Sequence, residues 1–346
     1  MPLSRRQFLK NSFAVSFAPT FLSACSNSAT PYRSQIFVFG TQVDILIYHP
    51  DKATIQNAIG KINADLQQFH HEWHAWEKGG ILSKINDAIK DNRPVTIAKS
   101  VQNFIEYSQQ LSKQSNYLFD PAIGQLVALR GFHSEHWQGP PPDNQKIQNW
   151  LNARPSIADI YFEDSQLFSK NRLVQLDFGG NAKGLALDMA ISSLQESGIH
   201  SALVSIGGDM KALGLKPVNQ AWQIGIQNPS NPSDAVATVE LFSNESLVTS
   251  GTYQRFFEWQ GVTYSHLLNP NTGWPVSATD SFVSVTVIHP DATRADSAAS
   301  ALLIAGPDDW QTVAQQMQIQ HALAIDAQGK HYHFGKIAER ILNPNT

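Results

Sequence analysis

The chain has 346 residues, 42% of them hydrophobic and 16% charged, which excludes a small stapled scaffold and a mostly disordered protein. Its single cysteine excludes an internal disulfide framework and a thiolate zinc site. The formal net charge is −4, but the first 24 residues hold three bases and no acid, so the remainder sets 22 bases against 29 acids and argues against nucleic acid as a partner.

The first 25 residues read as an address. Arg5, Arg6 and Lys10 precede an apolar stretch over 13–21, which Pro19 and Thr20 interrupt and which is too short to span a bilayer. The paired arginines followed by Phe8 and Leu9 resemble a twin-arginine export signal. Leu22-Ser23-Ala24-Cys25 resembles a lipobox, in which Cys25 becomes the lipidated first residue and holds the protein on a membrane. Ser26 rather than an aspartate follows it, which leans toward the outer membrane of a bacterial periplasm. A twin-arginine route also implies a domain that folds before export.

Residues 26–33 form a polar tether. A β-rich stretch over 36–48 predicts a strand pair broken near Gly40. Ile55, Ile59, Ile62, Leu66 and Phe69 share one face of a helix over 53–73, and a second helix is expected over 101–111. Residues 131–145, with three consecutive prolines, predict a long surface loop, and 173–176 a strand. A helix over 185–194 and a buried strand over 201–206 follow. Strands are expected over 222–226, 236–242, 255–259, 263–268 and 281–288, with a Gln260-Gly261 hairpin turn. Helices over 295–304 and 310–317 precede a hairpin of 322–325 with 331–334. Strands in runs and strands between helices together favour an α+β architecture with mixed sheets. No G-x-G-x-x-G fingerprint supports a Rossmann site.

Five segments carry candidate chemistry. DFGGNAKG (177–184) places glycines and Lys183 at a helix start, suited to an anion on unpaired N–H groups; a plain strand-to-helix turn is the alternative. GGD (207–209) ends a strand. SGTYQRFF (250–257) gathers Ser250, Tyr253 and Arg255, suited to phosphate oxygens. YSHLLNPNTGWP (264–275) presents His266, an acid/base or a structural imidazole. In DSAAS (296–300), Asp296 and Ser300 are four apart on a helix, suited to Mg²⁺ through hard oxygens; a helix cap by Asp296 is the simpler alternative. His70 and His74 also stand at i, i+4, but no HExxH pattern is present and a polar helix end is expected there.

Taken in this order, the segments resemble the ApbE family of FAD:protein FMN transferases. Upstream, Phe39-Gly40-Thr41, Trp76 with Ile85-Asn86, and LFDPAIG (118–124) also resemble that family's segments. The resemblance implies two interleaved subdomains with FAD between them and Mg²⁺ at its pyrophosphate. Gly180 would offer a backbone carbonyl to the metal, and Asp296 and Ser300 side-chain oxygens. Phe39, Trp76, Leu118, Phe119, Asp120, Asp177, Lys183, Ser250, Tyr253, Arg255, His266 and Leu267 would line FAD, with His266, Lys183 and Asp296 taking part in catalysis. Phe39 stands where the family usually has Met, Ser205 where it has Asn, and Ser300 where Thr is commoner. The implied reaction moves FMN from FAD onto a Thr or Ser hydroxyl of an acceptor flavoprotein and releases AMP. Hydrolysis of FAD to FMN and AMP, and a non-enzymatic FAD-binding lipoprotein, are the competing readings.

Overall fold

Alternating apolar residues at the start of the chain begin a large sheet. In the computed structural model, which describes residues 30–134, 140–277, 279 and 281–342, β1 (Tyr32–Val38) pairs antiparallel with β2 (Thr41–Ile47). Val43, Ile45 and Ile47 of β2 are fully buried at every second position. The export signal, the lipobox and Cys25 lie outside the described residues.

Next comes α1 (Lys52–Trp73), capped by Asp51, whose carboxylate accepts from Ala53 and Thr54 N–H. It is followed by α2 (Ile81–Lys90), β3 (Val95–Thr96), α3 (Lys99–Gln114), α4 (Gly124–Leu129) and α5 (Asn144–Ala153). β4 (Ile160–Glu163) and β5 (Gln166–Ser169) join β3 in a small sheet, and α6 (Ala182–Glu196) leads back to the large one. The rest of the chain gives β6 (Ala202–Ile206), β7 (Asp209–Leu213), β8 (Trp222–Gln227), β9 (Ala235–Leu241), β10 (Ser246–Gly251), β11 (Phe256–Trp259), β12 (Val262–Ser265) and β13 (Phe282–His289). α7 (Ala292–Gln316), β14 (His321–Asp326) and β15 (His331–Gly335) complete it.

The large sheet runs β1-β2-β6-β7-β10-β13-β14-β15. Its two faces follow from strand alternation. Val204 and Ile206 pack with α1 and α6, and Val285 and Val287 with α7. Their chain neighbours Leu203 and Ile288, pointing to the opposite face, meet the β8–β9 hairpin. The 52–196 excursion therefore leaves the sheet at β2 and returns at β6. It delivers the 118–124 and 177–184 segments to the helical face.

Most elements fall where the hydrophobic periods put them, with several corrections. Among the described residues the ladders are antiparallel rather than mixed, and the parallel contact is a single bridge, Ile123 to Gln175. Residues 173–176 are not a strand, because that bridge is all the pairing they make. The 131–145 loop gives way to α5 at Asn144, capped by Asp143. The 263–268 strand stops at Ser265, since Leu268 pairs with Pro275 instead. Helices 295–304 and 310–317 are two parts of α7, broken at Gly306 (φ 70°) before Pro307. Residues 246–251, where no strand is expected from the sequence, form β10 between β7 and β13.

Candidate active site

The N-terminus of α6 is the centre of the site. Gly179 and Gly180 form the turn before it, and Phe119 lies so close that a Cβ on Gly180 would sit 3.3 Å from its ring. Lys183 forms a salt bridge to Asp209; the lysine side chain is 33% exposed and the aspartate 3%. Asp209 follows the Gly207-Gly208 turn between β6 and β7, where both glycines have positive φ (60° and 100°). Its other oxygen accepts from Thr249 N–H at 3.0 Å. Burial lowers the Lys183 pKa, but Asp209 and Asp296 more than restore it, so the ammonium stays charged.

Two helices exchange caps. Asp296 of α7 accepts from Gly184 N–H in the first turn of α6 at 2.9 Å. Asp188 of α6 accepts from Ala292 N–H (3.2 Å), Thr293 N–H (3.1 Å) and Thr293 Oγ1 (2.9 Å) in the first turn of α7. Each carboxylate thus meets the positive end of the other helix dipole. Gly184 permits the approach, because a Cβ there would lie 2.3 Å from the Ala292 carbonyl oxygen. Lys211 neutralises Asp188 at 2.5 Å. The cap of α7 itself is Asp291, which accepts from Arg294 N–H at 2.8 Å, so the cap reading of Asp296 is corrected: it caps the neighbouring helix. The start of α6 is partly engaged already: Gly184 N–H is held by Asp296 and Lys183 is paired with Asp209.

Asp296 is buried, and its pKa is raised by desolvation and by Asp209, against the pull of Lys183. Among the described residues its hydrogen-bond partner is Gly184 N–H, which leaves most of a carboxylate's accepting capacity unused. Ser300 Oγ lies one helical turn on and meets Ser250 Oγ at 3.0 Å. Asp296 and Ser300 are hard oxygen donors one helical turn apart, the donor type that suits a Mg²⁺ keeping waters and phosphate oxygens for its other positions. Among the described residues no cluster of three or more His, Cys, Asp or Glu forms an all-side-chain metal cage.

The remaining candidates are aromatic and polar residues on several segments. Phe39 occupies the β1–β2 turn at φ 58°, its ring against Phe69 (5.9 Å) and His70 (5.4 Å). Trp76 contacts His133 with ring centroids 5.5 Å apart and the rings tilted by 52°. Asp177 accepts from Gly179 N–H at 2.9 Å and is raised by burial, against that bond and the Trp76 indole. Asp120 is buried and raised to about 6 by desolvation. Both its oxygens are taken locally, by Ala122 and Ile157 N–H (2.9 Å each) and Ser156 Oγ (2.7 Å), so its carboxylate shapes the Leu118–Phe119 turn rather than facing a ligand. Arg255 donates to the carbonyls of Phe132 (2.6 Å) and Ser134 (3.0 Å). Tyr253 lies over Gly251, its phenol raised by burial. His266 Nδ1 meets the Arg255 carbonyl at 2.9 Å, and burial lowers the ring to about 4. Nδ1–H therefore donates and Nε2 keeps its lone pair. Leu267 is buried beside it. His70 and His74 face each other at 5.1 Å at the end of α1. Sequence reasoning missed Asp188 and the pairing of Asp209 with Lys183, because both partners lie far apart in the chain.

This fold and this arrangement place the chain in a class with known representatives. Residues 39–324 match the model of the ApbE family, and the chain belongs to that family. It is 31% identical over 309 residues to a Rhodobacter capsulatus protein named FAD:protein FMN transferase, covering 88% of this chain and 57% of that protein. A Klebsiella pneumoniae protein of the same name is 27% identical, covering 89% of each. The ApbE protein of Thermotoga maritima superposes with a TM-score of 0.82 at 27% identity, over 91% of this chain and 100% of that one. The apo flavinyl transferase ApbE of Pseudomonas stutzeri gives 0.77 at 26% identity, over 90% and 96%.

Proposed function

We propose that the protein transfers FMN from FAD to a Thr or Ser hydroxyl of an acceptor flavoprotein. The observation that carries this reading is the Asp296–Gly184 hydrogen bond of 2.9 Å, which joins the 296–300 and 177–184 segments across the chain. Family membership and the names of the relatives support it.

Lys183 and the first turn of α6 hold the pyrophosphate, while Phe39, Trp76, Leu118 and Phe119 offer apolar surface to the flavin. His266 Nε2 accepts the proton of the acceptor hydroxyl. The hydroxyl oxygen bonds to the FMN phosphorus as the bond to the AMP oxygen breaks, and AMP leaves. Mg²⁺ held by Asp296, Ser300 and the Gly180 carbonyl would supply charge neutralisation at the phosphates. The acceptor gains the mass of FMN less one water. We also propose that the mature chain begins at a lipidated Cys25 and works on the periplasmic side of a membrane.

The test is mass spectrometry of a candidate acceptor incubated with the protein, FAD and Mg²⁺. Labelling that stops when the acceptor hydroxyl is removed, or when the metal is chelated, is expected. Free FMN and AMP with no labelled protein would instead identify a hydrolase, and intact FAD a carrier.

A further inference from the structure

We propose that Arg130 is a positioning residue for this transfer: its buried guanidinium fixes the 269–274 turn, and through it His266 and Leu267, against the segment that carries Leu118 and Phe119. The inference rests on the flavin-transfer reading.

Arg130 follows α4, and its side chain is fully buried. Nε and Nη2 both donate to one acceptor, the Gly273 carbonyl, at 3.0 and 2.7 Å. The guanidinium carbon lies 4.2 Å from the Trp274 ring centroid, a cation–π contact on a half-exposed ring. No carboxylate comes within ion-pair distance among the described residues, and Nη1 has no hydrogen-bond partner. Burial lowers the group to about 10, so it remains charged at neutral pH. A buried, unpaired charge with an orphaned donor opposes folding, and an apolar side chain of the same volume would be cheaper. Stability alone therefore does not account for an arginine here.

A guanidinium supplies what an apolar side chain cannot, a two-point hold on one carbonyl. Gly273 has φ 70°, and a Cβ there would sit 2.6 Å from Ile147 of α5, so the turn is pressed against that helix. One leg of the turn is Leu267-Leu268, tied to the other by the Leu268–Pro275 bridge and by Val276 N–H to the Leu267 carbonyl at 2.8 Å. His266 precedes that leg. At its other end α4 is tied to the flavin side. Gly124 N–H donates to the Gln175 carbonyl at 2.8 Å, and Asp177 N–H to the Pro121 carbonyl at 2.7 Å. One side chain thus sets the register of three ligand-lining segments.

The experiment compares Arg130→Met, which keeps the stem and loses the fork, with Arg130→Lys, which keeps the charge. Readouts are FAD affinity by flavin fluorescence, kcat and KM for FAD in transfer, and thermal melting. Arg130→Met is expected to weaken FAD binding and raise KM about tenfold or more while kcat falls less, and Arg130→Lys to recover part of the loss. A lower melting temperature with wild-type FAD affinity and KM would make Arg130 merely structural and overturn the proposal. If Arg130→Met does not fold, Trp274→Leu removes the stacking ring from the solvent side. It should shift KM in the same direction, and an unchanged KM there overturns the proposal. A wild-type protein that neither binds FAD nor labels an acceptor would sink the transferase reading itself, and this inference with it.

Discussion

The protonation state of His266 decides where the hydroxyl proton can go. An ordinary histidine titrates near 6.5, and burial moves this one to about 4. Its Nε2 is therefore unprotonated, though a weaker base than an ordinary imidazole, through the neutral range, so the histidine's own titration should leave transfer level well below pH 6.5 and lower it only toward pH 4. A pH–rate profile whose acid limb sits near 6.5 would remove His266 from the role of base. His266→Ala should lower turnover by roughly 10²–10⁴-fold. The same shift acts on stability. Between 6.5 and about 4 the unfolded chain binds the proton and the folded one does not, so stability decreases as the pH is lowered across that window. Asp120, raised to about 6, works in the opposite sense, gaining stability as pH falls from 6 toward 3.8. Phe39 offers a second residue-scale test. A left-handed Phe costs about 1–2 kcal/mol, while its ring contacts return about 0.5–1.5 kcal/mol. Phe39→Asn should thus leave the melting temperature nearly unchanged yet weaken FAD binding; calorimetry and fluorescence titration on one preparation decide it.

Among the elements, the α6–α7 contact governs the site. Helix propensity alone makes Gly184→Ala stabilising by about 0.5–1 kcal/mol. The Ala292 carbonyl oxygen, 2.3 Å from the new Cβ, reverses the sign. Overpacking of this kind costs about 1–3 kcal/mol, and separating the helices also strips Asp296 from Gly184. Gly184→Ala should therefore melt lower than wild type and lose activity further than Ser192→Ala, an exposed change on the same helix. An unchanged melt and normal turnover would refute the close-packing argument. The same contact shows what a sequence hides. Strands such as β8 and β13 and helices such as α1 were legible because their apolar period is local. The short α4 and α5 were missed because so few turns carry little periodicity, and α2 was missed although Leu82, Ile85 and Ile89 keep helical spacing. The glycine and lysine of 177–184 pointed to the site. The exchanged caps did not, because Asp188 and Asp296 look like surface acids until tertiary packing pairs them with another helix's N–H groups.

Across the whole molecule, the sheet buries one face under α1, α6 and α7 and the other under the β8–β9 hairpin. No helix among the described residues is long and apolar enough to cross a membrane. Cys25→Ser should release the protein from the membrane fraction or leave its leader uncleaved; unchanged mass and fractionation would refute a lipid anchor.

The exchanged caps also impose an order of assembly during synthesis. Gly184 leaves the ribosome 112 residues before Asp296. At roughly 5–20 residues per second this is a wait of about 6–20 s. Throughout that interval the start of α6 lacks its partner, and Asp188 has no helix to cap. A chain arrested between residues 184 and 291 holds every glycine of the 177–184 turn and the lysine beside it, yet has no finished site. Competence to react is thus tied to completion of the C-terminal helix, and a half-made protein exposes no working centre.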